Sequence, residues 1–150
     1  MEIAKLIAKY EGKGFSRERA EINVLMEGAV FAIFRDFPDA FLLFGGATLV
    51  LFHESSRHSA DLDLLACGAS VPSREEIINS LRRDLVPVAE NLQLGGLRFG
   101  AEGPDAQEGR IFVATDSGQR LFRIDLTRFG SALESEVETH QSKEHLVIPQ

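Results

Sequence analysis

Apolar residues recur at helical spacing between residues 17 and 36: Ile22, Leu25, Met26, Ala29, Val30, Ile33 and Phe34. Ser16 stands where an N-cap belongs, with Glu18 in the first turn facing the positive end of the helix dipole. The pattern predicts one long helix that covers a face of a sheet and stops before Pro38. Residues 1–14 form a shorter amphipathic piece, with Ile3, Leu6 and Ile7 on one side and Gly12 and Gly14 at its end. A second long helix is predicted after Pro72. Ser73-Arg74-Glu75-Glu76 has the spacing of a capping box, and Ile77, Ile78, Leu81 and Leu85 follow on one side. Pro87 is expected to end or kink it. Arg82 and Arg83 are expected on its wet face.

Between these helices the pattern changes. Phe41-Leu42-Leu43-Phe44 is continuously apolar, as a strand buried on both faces is. A short helix is expected over 47–53, a polar loop over 54–59, and a second strand over 60–66. Three further strands are expected at Leu92 to Phe99, Arg110 to Thr115 and Gln119 to Thr127. Asp116-Ser117-Gly118 supplies a hairpin turn between the last two, and 103–109 reads as a loop. The elements together describe an α/β chain: a mixed, partly antiparallel sheet backed by helices, in a single domain.

Composition narrows the classes. The 150 residues are 44% hydrophobic and 26% charged, proportions of a globular protein with a real core. The net charge of −7 argues against a general nucleic-acid-binding surface, which is basic. A nucleic-acid substrate would need a local patch or a second domain. The single cysteine, Cys67, excludes an intramolecular disulfide. No run of about 18 apolar residues marks a membrane span. The charged N-terminal stretch lacks a signal-peptide core, so a cytoplasmic location is expected.

The chemistry concentrates in Phe44 to Leu65. Asp61 and Asp63 are two apart in a strand, so both carboxylates face one side, roughly 6.5 to 7 Å apart along the backbone. Leu62 and Leu64 point the other way. Two carboxylates on one face form half of a cup for a hard divalent cation such as Mg²⁺. Gly45 and Gly46, between a strand and a short helix, expose backbone N–H groups where phosphate binds well. Arg57 and Ser59 stand just before the acidic strand, within reach of phosphate oxygens. The four histidines show no zinc spacing, and neither a Walker A nor a G-x-S-x-G sequence is present.

The combination resembles the nucleotidyltransferase superfamily of the DNA polymerase beta type, and most closely the AbiEii/AbiGii toxin branch. The matching residues are Gly45, Gly46, Ala47, Thr48 and Leu49, then Arg57, Ser59, Asp61, Leu62, Asp63 and Leu64. Ala47 and Thr48 stand in swapped order, and Phe44 stands where the family often has a lysine. The resemblance covers roughly residues 20 to 128. Family members usually continue into a helical region that is not evident before Gln150.

The resemblance implies a third acid on a later strand of the same sheet. Asp125 fits that place, since Phe122, Ile124 and Leu126 alternate with Arg123, Asp125 and Thr127. The implied activity is metal-dependent transfer of a nucleoside monophosphate from a nucleoside triphosphate to an acceptor hydroxyl. Asp61, Asp63 and Asp125 would hold Mg²⁺ or Mn²⁺, and Gly45, Gly46, Thr48, Arg57 and Ser59 would bind the nucleotide. The acceptor class stays open among RNA, protein and small molecules, and an antitoxin protein is an implied partner. Two other classes stand beside this one: a non-catalytic nucleotide-binding or interaction module, and a small-molecule nucleotidyltransferase of the antibiotic-modifying kind.

Overall fold

The computed structural model describes residues 2–45, 60–68 and 70–128. The expected helix over 47–53, the loop over 54–59, and Gly46, Thr48, Arg57 and Ser59 lie outside the described residues, as does the tail from 129.

Helix α1 (Ile3–Gly12) buries Ile7 and Tyr10. The Tyr10 hydroxyl donates to Glu27 across 2.7 Å, and the ring packs edge-on against Phe15. This fastens α1 to α2 (Arg17–Asp36), whose cap is the expected one: Ser16 Oγ accepts from the Arg19 N–H at 3.2 Å. Burial of α2 goes beyond one stripe and takes in Ala20, Val24, Leu25, Met26, Ala29, Val30, Ala32 and Ile33. A helix buried on several sides has neighbours on several sides. Here they are α1, the sheet, and α3 (Arg74–Asn91). At the α2–α3 crossing, a Cβ on Gly28 would stand 3.0 Å from Leu85, so the bare glycine lets the leucine seat there.

Helix α3 begins with the expected capping box. Ser73 Oγ accepts from the Glu76 N–H, and Glu76 accepts from the Ser73 N–H. It does not stop at Pro87 but runs on to Asn91. Leu85 and Ala89, both fully buried, hold the turns on either side of the proline against the core. That burial outweighs the single N–H that proline removes. The chain turns at Gln93 (φ +61°) and Gly95 (φ +79°), and only then becomes a strand. The strand expected from Leu92 therefore starts at Leu97. Leu92 and Leu94 finish the apolar face of the helix end, where the Leu94 N–H reaches the Ala89 carbonyl.

The strands are β1 (Phe41–Phe44), β2 (Asp61–Ala66), β3 (Leu97–Glu102), β4 (Gly109–Thr115) and β5 (Arg120–Arg128). They form one sheet in the order β1-β2-β5-β4-β3. Only β2 and β5 run parallel; the other pairs are antiparallel. The β4–β5 hairpin turns at Asp116-Ser117-Gly118, where the glycine takes φ +95°. Strand alternation divides the sheet. Leu62, Leu64, Ile111, Val113, Ile124 and Leu126 are buried in the main core with α2 and α3. Asp61, Asp63, Arg110, Arg123 and Asp125 occupy the other face, together with a small apolar group of Leu42, Leu65 and Phe44. The result is a mixed α/β fold with the helices against one face of a five-stranded sheet.

Candidate active site on the polar sheet face

The parallel pairing of β2 with β5 builds the site. Its register sets Asp63 opposite Asp125 and Asp61 opposite Arg123. Partners across a pair share a face, so the three sequence-predicted acids come together at the centre of the sheet. The antiparallel pairing of β4 with β5 adds Arg110 opposite Asp125. Leu62, Leu64, Ile124 and Leu126 anchor both strands from behind, which fixes the register and so the positions of the carboxylates.

Two arginines neutralise the outer acids. Arg123 Nε lies 3.2 Å from Asp61 Oδ1 and 3.3 Å from Asp125 Oδ2, and its Nη2 donates to Asp61 Oδ2 at 3.2 Å. Arg110 Nε lies 3.2 Å from Asp125 Oδ1. The approach of Arg110 is outside hydrogen-bond geometry, so this buried oxygen has an ionic neighbour and no hydrogen bond.

Asp63 is the strained member. Its carboxyl is pushed up to about 6, first by burial, then by the negative charges of Asp125 and Asp61, against the opposing pull of Arg123. Gly45 closes against it from the end of β1. Gly45 takes φ +88°, and a Cβ there would collide with the Asp63 carboxylate. The first glycine of the Gly-Gly pair thus makes room for an acid.

The donor chemistry suits a hard cation: three carboxylates crowded on one face, one oxygen without a hydrogen bond, and one acid held towards its protonated form by burial and then by its neighbours' charge. Among the described residues, no group of three His, Cys, Asp or Glu side chains closes on one point as a ready cage. The Arg123 guanidinium stands between two of the three acids. Beside Asp61 a cavity of about 400 Å³ opens, lined by Arg19, Arg120 and Arg123 as well as Glu18.

Of the sequence-predicted residues, Asp61, Asp63, Asp125 and Gly45 are adjacent. Arg123 and Arg110 join these acids on the same face. The signal for Arg123 was available, since strand alternation sets it on the same face as Asp125. Arg110 needed the β4–β5 register.

No family model matches the chain, and no curated protein matches it. Among solved structures it is similar to "MenT4, nucleotidyltransferase toxin Rv2826c from Mycobacterium tuberculosis H37Rv", at 15% sequence identity and a TM-score of 0.43. The similarity covers 85% of this chain and 44% of that one, so the chain spans less than half of that protein's length. No helix among the described residues is long and apolar enough to cross a membrane.

Proposed function

We propose that this protein is a metal-dependent nucleotidyltransferase that moves a nucleoside monophosphate from a nucleoside triphosphate to an acceptor hydroxyl. The observation that carries the reading is the in-register placement of Asp63 against Asp125, with Asp61 beside them, on the sheet face away from α2 and α3. The motif residues Gly45, Gly46, Thr48, Arg57 and Ser59 add the phosphate-binding half by resemblance.

Asp61 and Asp63 would hold Mg²⁺ or Mn²⁺ shared with the triphosphate, and Asp125 would complete the set on the acceptor side. When bound, such ions polarise the phosphoryl oxygens and lower the pKa of the attacking hydroxyl. The chain's own part is positional. The β2–β5 pair fixes three carboxylates at constant spacing, Gly45 leaves space for Asp63, and the arginines offset the charge until substrate arrives. Asp125, across the strand pair from Asp63, would orient the acceptor hydroxyl and take its proton.

The resemblance further suggests the toxin of a bacterial toxin–antitoxin pair, with RNA, protein or a small molecule as acceptor. The test is incubation with each α-labelled nucleoside triphosphate, Mg²⁺ and cell extract, followed by fractionation into RNA, protein and small molecules. Label in one fraction names the acceptor class. A second reading, a module that binds nucleotide without turnover, draws on the Arg123 bridge, which neutralises two of the acids. Nucleotide binding without transfer of label in any fraction would select it.

A further inference from the structure

Among the described residues, Arg123 is the side chain that bridges two of the three acids. Its Nε is within 3.3 Å of an oxygen from Asp61 and an oxygen from Asp125, and Nη2 adds the second Asp61 oxygen at 3.2 Å. A cation held by the three acids would draw on the same Asp61 and Asp125 oxygens that this guanidinium now engages. Arg123 comes from β5 itself, two residues before Asp125 and opposite Asp61 in the register, so the same strand pairing that gathers the acids delivers the arginine. The side chain is about one-third exposed and lines the roughly 400 Å³ cavity beside Asp61, so a displaced guanidinium has open space next to it.

Resting on the metal-dependent reading above, we propose that Arg123 is a built-in stand-in for the divalent cation. It holds Asp61 and Asp125 in place while the site is unloaded, competes with the incoming ion for the same carboxylate oxygens, and turns into the adjoining cavity when the ion binds. It is a positioning residue that sets the threshold for metal loading. A fixed positive charge amid three acids lowers their mutual repulsion in the unloaded state and opposes a second positive charge in the loaded one.

The test is calorimetric titration of the full chain with MnCl₂, alongside thermal unfolding without metal. Arg123→Gln removes the charge and is expected to lower the metal-free melting temperature while tightening Mn²⁺ binding by about tenfold or more. Arg123→Lys keeps the charge but bridges with a single nitrogen, and its affinity should fall between the two. An arginine that merely props the site open would act in the opposite direction, because a loosened site binds metal less well. Equal or weaker Mn²⁺ binding by Arg123→Gln overturns the inference. If that variant does not fold, Arg123→Lys decides: tighter binding than the parent supports the inference, and equal or weaker binding overturns it. Failure of the broader reading looks different. There, neither the parent nor any Arg123 variant binds Mn²⁺. Binding by the parent that is lost in Asp63→Asn but unchanged in Arg123→Gln leaves the metal site standing and removes only the role of Arg123.

Discussion

At the scale of single residues, Asp63 shows a site that works against the stability of its own fold. Its carboxyl is pushed up to about 6 from the ordinary 3.8, first by burial and then by the charges of Asp125 and Asp61. A group held above its unfolded value favours the fold fully only below the unfolded pKa, and that contribution is lost as pH rises through the folded one. Asp63→Asn should therefore be more stable than the parent above pH 7, with the gap closing towards pH 4. The full shift corresponds to roughly 3 kcal/mol, and solvent screening of a half-buried carboxyl brings the expected gap to about 1 kcal/mol. Melting curves of the two proteins between pH 4 and pH 8 check this, and a gap independent of pH would contradict it. Gly45 makes a complementary prediction. Gly45→Ala places a Cβ against the Asp63 carboxylate and strains a backbone at φ +88°. A loss of about 1–2 kcal/mol is expected in chemical denaturation, along with weaker Mn²⁺ binding, because Asp63 must shift to make room.

At the scale of elements, the helix starts were legible because capping is local chemistry. Ser16 and Ser73 could be read as caps without knowing what either helix packs against. The capping box should contribute measurably. Ser73→Ala is expected to cost about 1 kcal/mol in urea denaturation, and Ser73→Asp, which keeps an acceptor, much less. The helix end was not legible, because Pro87 and the apolar pair Leu92 and Leu94 carry no local mark of their partners. Only the core contacts of Leu85, Ala89 and Leu92 carry α3 past the proline and delay β3 to Leu97. The site divides in the same way. Asp61 and Asp63 could be paired from strand alternation alone. That Asp125 meets Asp63 depends on β2 and β5 being parallel neighbours although they lie far apart in sequence. The sequence marks Gly45 with Gly46 as a phosphate cradle; its contact with Asp63 is not legible there, because it depends on the antiparallel pairing of Phe44 with Asp63.

At the scale of the whole molecule, a chain with a net charge of −7 concentrates several acids and their arginine partners on one sheet face. The helices and the main core occupy the opposite face, so chemistry and packing are separated by the sheet itself. Loading the polar face should therefore stabilise the fold without rearranging it. A divalent cation at about one hundred times its dissociation constant contributes about 2.7 kcal/mol of apparent stability. The melting temperature should rise with Mg²⁺ or Mn²⁺ in the parent and not in the Asp61→Asn, Asp63→Asn double variant. The most direct measurement of the central claim compares label transfer from an α-labelled nucleoside triphosphate by the parent and by Asp125→Asn, with nucleotide affinity measured in parallel. If Asp125 serves the acceptor side of a three-acid site, transfer falls by roughly 10²- to 10³-fold while nucleotide affinity stays close to that of the parent. Equal transfer by parent and variant, or no transfer by the parent to any fraction, would contradict the account.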